Sequence, residues 1–209
     1  MKIFKIGVSH QNILIRLLSI MFFYWLIFSL CVTLSHIFLP EGFLKGVNTG
    51  GKIALSSNVI ISTFQIFLYN VISLVAIIIG SLFAKRKNEK ENFLSLGIQV
   101  LFVLAIIFGV TLGTNSFGVE VDNTSLVNKF LGLFSVFKYS ALWETTGLIL
   151  FTTAFSQKAL VLTTGKKTIT KSIRKWSFNK NEVFLMLIGL TLMIIGAFIE
   201  SNSIIFLNS

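Results

Sequence analysis

The chain has 209 residues, 54% of them hydrophobic and only 12% charged, with a mean hydropathy of +0.85. A soluble domain carries about 25% charged residues, so the composition excludes an ordinary soluble fold and points to a polytopic membrane protein. A single cysteine, Cys31, excludes an intrachain disulfide and a cysteine-built metal site, and the net charge of +10 lies between the apolar runs, where anionic lipid rather than nucleic acid is the counterpart.

The apolar runs are continuous and near the roughly 20 residues that a helix needs to cross a bilayer core about 30 Å thick, which predicts helices rather than barrel strands. The first follows a short basic segment carrying Lys2, Lys5 and Arg16 and spans about 13–39, ending at the chain's one proline, Pro40. It is too long for the apolar region of a signal peptide and no small-x-small cleavage site follows, so a retained anchor helix is expected. Phe28-Ser-Leu-Cys31 is not a lipoprotein box, because the residue before the cysteine is Leu30 rather than a small one. The glycine-rich stretch 41–57 lacks a phosphate-loop pattern and reads as a connector.

The second span is expected at 59–84. It contains Gln65 and Asn70, amides suited to hydrogen bonding between helices, and Gly80. Residues 85–92 hold four basic and two acidic side chains and read as a solvated hairpin. The third span, 93–113, ends in Gly109-Val-Thr-Leu-Gly113, a step of small residues that admits a close helix neighbour. Leu126, Phe130, Phe134 and Phe137 then lie at helical spacing opposite Asn128, Lys129, Ser135 and Lys138, which predicts an amphipathic surface helix over 125–140.

The fourth span, 141–162, brings Glu144 and Gly147 into an otherwise apolar helix. A basic loop over 163–182 follows, interleaved with Trp176 and Phe178 and suited to a membrane surface. The fifth span, 183–205, carries Gly189, Gly196 and Glu200. With the amino terminus inside, 14 of the 18 Lys and Arg fall on the inner side. Four, Lys45, Lys52, Lys129 and Lys138, fall outside, so an all-α integral membrane protein of five helices, N-in and C-out, satisfies the positive-inside rule.

A carboxylate at bilayer depth costs roughly 2.5–3.5 kcal/mol on insertion scales, so Glu144 and Glu200 are the leading candidates for function. Counted from Lys158 and Glu182 at 1.5 Å per residue, both lie roughly 20–27 Å above the inner boundary, in the outer half. Gly189, Met193, Gly196 and Glu200 share one helix face, as do Ala141, Glu144, Gly147 and Phe151. His36, near the outer end of the first helix, and Asn70 complete a candidate polar cluster. The sequence holds no H-E-x-x-H, G-x-S-x-G or Glu-Glu protease motif, so no catalytic, cofactor or metal residue is assigned and the cluster reads as packing or partner-binding.

Three stretches resemble the signature regions of the stage II sporulation protein M family of bacterial and archaeal membrane proteins. They are Phe67-Leu-Tyr-Asn70 followed by Gly80, Tyr139-Ser-Ala-Leu-Trp-Glu-Thr-Thr-Gly-Leu-Ile149, and Ile194-Ile-Gly-Ala-Phe-Ile-Glu-Ser201. Glu144 and Glu200 match the family's two glutamate positions. Tyr139-Ser140 stands where the family often has His-Gly, and Ser203 where a proline is usual. The resemblance implies a five-helix protein of the bacterial plasma membrane, without cofactor, working in a complex with other membrane or extracytoplasmic proteins. A scaffold in cell-wall remodelling is the first expectation. A component of circular-bacteriocin maturation, export or immunity, or an ABC-transporter permease-like subunit, is the second, with an ABC ATPase or a small hydrophobic peptide as partner; an intramembrane enzyme is the third. The lipid bilayer is a partner in each case, a homo-oligomer is compatible with all of them, and nucleic acid with none.

Overall fold

The computed structural model describes residues 2–45, 56–86, 92–116, 140–165, 167–172 and 177–208. The described chain is mostly helical, and four of its helices are long and apolar enough to cross a membrane. A short helix α1 (Lys2–Val8) leads into α2 (Ile13–Phe38), and α3 (Val59–Ser81) and α4 (Leu96–Gly113) follow. A fifth helix, α5 (Ala141–Phe155), and the long α6 (Lys180–Asn208) complete the bundle.

The helix ends follow from local chemistry. The Asn12 side chain accepts from Leu14 N at 2.9 Å at the start of α2, and Asn58 does the same for Ile60 N at 2.9 Å at the start of α3. Pro40 forces Leu39 into extended backbone (φ −108°, ψ 148°) and so closes α2. At the foot of α6, Asn179 Oδ1 accepts from Glu182 N and Glu182 Oε2 accepts from Asn179 N, both at 2.8 Å, a reciprocal capping box.

The bundle is built around α5. From Thr145 to Phe155 every residue but Thr146 is buried, and α5 touches α2, α3, α4 and α6. The hydroxyls that this burial encloses are satisfied locally: Thr145, Thr152 and Thr153 each donate to the carbonyl four residues back at 2.7–2.8 Å. The long helices, by contrast, turn large apolar side chains outward, with Phe22, Ile60, Ile72 and Leu187 all more than 60% exposed. An apolar surface of that extent is stable only against lipid or protein.

A four-stranded sheet caps one end of the bundle, in the order β2-β1-β3-β4, formed by β1 (Phe83–Arg86), β2 (Leu94–Ser95), β3 (Val161–Thr164) and β4 (Lys167–Thr170). β1 runs antiparallel to β2 and parallel to β3, and β3 is antiparallel to β4. The chain is therefore not all-α, and the helices end short of the expected spans where they meet the sheet. α3 stops at Ser81 rather than 84, α4 starts at Leu96 rather than 93, and α5 stops at Phe155 rather than 162. The fifth run forms a helix longer than 183–205, opening at Lys180. The reason lies in a second small core: Ala84, Ala159 and Leu162, with Phe93 packed on them, are apolar because they bury against one another at the sheet. α5 itself is closed by Ser156, whose N–H donates to Thr152 O at 2.8 Å and whose hydroxyl donates to Thr153 O at 2.9 Å.

The surface helix expected over 125–140 lies outside the described residues apart from Ser140, as does most of the glycine-rich connector. Lys85 and Arg86 lie in a strand where a solvated hairpin was expected, and Lys167–Thr170 forms a strand within the loop expected at the membrane surface.

Candidate functional site

α5 and α6 approach closely enough to bring their backbones into contact. A Cβ added at Gly147 would lie 2.6 Å from Gly189 O, and one at Gly189 would lie 2.9 Å from Gly147 O, closer than real Cβ atoms come to anything. Two turns toward the end away from the sheet, a Cβ at Gly196 would meet Glu144 Cγ at 2.6 Å and Ser140 O at 3.1 Å. The absence of a side chain at Gly196 is what gives the Glu144 stem its place between the helices.

Glu144 and Glu200, both half-buried, fall on this same seam, Glu200 one turn beyond the Gly196 that receives the Glu144 stem. Asn70 Nδ2 on α3 and Glu144 Oε1 are both buried and make no hydrogen bond among the described residues, although the Asn70 amide is close enough to act on the Glu144 carboxyl, as the Ser140 hydroxyl is on that of Glu200. Ser201 Oγ donates to Val59 O at 3.0 Å, tying α6 to the first turn of α3 beside the pair. Three helices thus meet around two half-buried carboxyls. Among the described residues no group of three His, Cys, Asp or Glu gathers as a metal centre requires.

His36 stands on another seam. Its Nδ1 lies 3.2 Å from Gly113 O, between α2 and α4, where Ser35 also packs. A Cβ at Gly113 would collide with Ser35 and Val32 O, and one at Gly109 would lie 2.8 Å from Cys31 Cβ and 2.9 Å from Phe28 O. The turn beyond α4 is stitched to the end of α2 by Gly42 N donating to Thr114 O at 2.6 Å and Leu44 N to Ser116 Oγ at 3.0 Å. Gly80 belongs to the α3–α4 crossing, where its Cβ position is 3.1 Å from Gly97 N.

A second polar group lies at the opposite, sheet-bearing end, and sequence reasoning did not single it out. Arg16 is 2% exposed; its Nε donates to Thr153 O at 3.2 Å and its Nη1 to His10 O at 2.8 Å. The guanidinium thereby sits at the carboxyl end of α5, where helix carbonyls are unpaired and the dipole favours a cation. Glu182, 4% exposed, forms an ion pair with Lys158, whose ammonium donates to Ser177 O at 2.7 Å and lies 5.0 Å from the Phe178 ring centre, and its charge also acts on Arg16 without an ion pair between the two. The available signals were the Asn179-x-x-Glu182 capping pattern and an arginine set inside an apolar run.

Compared with known proteins, the chain matches no family model, no curated protein and no solved structure.

Proposed function

We propose that the protein is a five-span scaffold or accessory subunit of a bacterial plasma-membrane complex, N-in and C-out, whose Glu144–Glu200 pair fixes the packing of α3, α5 and α6 rather than performing chemistry. On this reading the sheet lies at the cytoplasmic face and the carboxyl pair in the outer half of the bilayer. α5, 15 residues and about 22 Å long, crosses within a protein wall instead of facing lipid. The resemblance to the stage II sporulation protein M family gives the complex its class, cell-wall remodelling.

The observation that carries the reading is the fit of Glu144 against Gly196: the carboxylate stem fills the space between α5 and α6 that the glycine leaves. A second reading, a permease-like subunit served by an ABC ATPase, draws support from the folded sheet at the proposed cytoplasmic face.

The test is isosteric replacement. Glu144→Gln and Glu200→Gln keep shape and most acceptor capacity, so each variant should still insert, co-purify its partners and function within several-fold of the parent. A Glu144→Gln protein that assembles normally and is functionally dead would replace the scaffold with an enzyme, since proton transfer needs the ionisable group and not its outline.

A further inference from the structure

Among the described residues the four-stranded sheet ends on β4, one side of which pairs with no other strand. Val161 N donates to Leu82 O, so Val161 points its backbone groups toward β1, and alternation turns Leu162 and Thr164 toward β4. Their register partners are Ile169 and Lys167, and one step further Lys171 N donates to Leu160 O at 2.7 Å. Lys167, Ile169 and Lys171 therefore spend their backbone groups on β3. Thr168 and Thr170, between them, direct an N–H and a carbonyl each away from the sheet. All four residues of β4 are exposed.

The side chains along this edge have a pattern. Ile169 continues the apolar row Ala84–Leu162 across the sheet and is 44% exposed where that row runs out. Lys167 and Lys171, two residues to either side, share its face. The strands contribute Lys85, Arg86 and Lys167 and no acidic residue.

We propose that the β4 edge is a docking site for an extended acidic segment of a partner protein, which adds as a fifth strand by pairing with the backbone of Thr168 and Thr170. The partner's sequence pattern follows from the alternation: acidic, any, apolar, any, acidic, with the apolar residue beside Ile169 and the acids beside Lys167 and Lys171. A second copy of this chain centred on Ile169 is disfavoured on the same geometry. A two-fold pairing about Ile169 sets Lys167 against Lys171 twice, and like charges directly opposite are destabilising. Lysines on an edge guard it against indiscriminate pairing and leave it open to an acidic strand. This inference goes beyond the scaffold reading and does not depend on Glu144 or Glu200, whose variants leave β4 untouched.

The experiment uses the full chain in phosphatidylcholine nanodiscs with a fluorescent peptide Thr-Glu-Thr-Val-Thr-Glu-Thr and its Thr-Lys-Thr-Val-Thr-Lys-Thr counterpart, read by anisotropy. The acidic peptide should bind at least about tenfold more tightly than the basic one. Thr168→Pro and Thr170→Pro remove only outward N–H groups, a position where an edge strand tolerates proline, and each should weaken binding by about tenfold. The Lys167→Glu, Lys171→Glu double variant leaves the backbone alone and should reverse the preference between peptides, so the proposal stays testable if a proline variant fails to fold. Equal binding of both peptides overturns it, as does wild-type affinity in both proline variants. An Ile169→Cys disulfide forming between two copies in one disc would assign the edge to self-association. Loss of peptide binding on adding phosphatidylserine would assign it to the bilayer surface.

Discussion

The carbonyl oxygen of Gly189 lies 2.6 Å from the point that a Cβ of Gly147 would occupy, and the carbonyl of Gly147 lies 2.9 Å from the corresponding point at Gly189. The two helices therefore touch through backbone at this crossing. Neither glycine can gain a side chain unless the axes move apart, and every contact further along the pair, including Gly196 against Glu144, depends on that separation. Lipid supplies no hydrophobic drive between helices, so such close approach is where their association energy resides.

Gly147→Leu and Gly189→Leu should each lower the unfolding midpoint in detergent by the equivalent of about 1–3 kcal/mol, the usual cost of overpacking. Ile194→Leu, on the exposed face of the same helix, should be near neutral. Equal shifts from the glycine and isoleucine changes would mean that the α5–α6 seam is not the tight one.

Glu182 has two roles that separate by substitution. Glu182→Gln keeps the capping hydrogen bond to Asn179 N but breaks the ion pair with Lys158 and removes a negative charge that acts on Arg16, whereas Glu182→Ala loses the cap as well. Removing one partner of a buried pair costs on the order of 3–5 kcal/mol, and loss of a cap about 1 kcal/mol more. Thermal unfolding should therefore rank the parent above Glu182→Gln and that above Glu182→Ala, with Lys158→Met partly rescuing Glu182→Gln.

The carboxyl pair should behave as one unit. Glu144→Leu and Glu200→Leu change one seam, where the Glu144 stem packs on Gly196 one turn from Glu200, so their combined effect on stability should depart from additivity by about 0.5–3 kcal/mol. Additivity within error in a double-mutant cycle would show that the two glutamates act separately.

The proposed topology is open to direct labelling. In a Cys31→Ser background, cysteine at exposed Thr168 should resist a membrane-impermeant thiol reagent in intact cells, while cysteine at exposed Lys45 or Ser57 should react. Labelling at Thr168 from outside would invert the orientation and put the Glu144–Glu200 pair at the inner face.

The sequence by itself determined where most of the helices lie. Apolar length located the four long ones, Asn12, Asn58 and Pro40 set their limits, and the 3.6-residue period grouped Gly189, Met193, Gly196 and Glu200 on one face of α6. Tertiary structure alone decided which helix is central. Hydrocarbon tails and a protein interior are equally apolar, so hydropathy does not distinguish a lipid-facing helix such as α3 from a protein-enclosed one such as α5, whose Thr152 and Thr153 are fully buried. It also decided the sheet. Phe83–Arg86 pairs with Val161–Thr164 across nearly 80 residues of chain, and four-residue strands carry too little periodicity to announce a partner that far away. The Arg16 site is of the same kind: Arg16 and Thr153 stand 137 residues apart in the chain, and only the docking of α2 at the foot of α5 lets the guanidinium donate to the Thr153 carbonyl in a place closed to water.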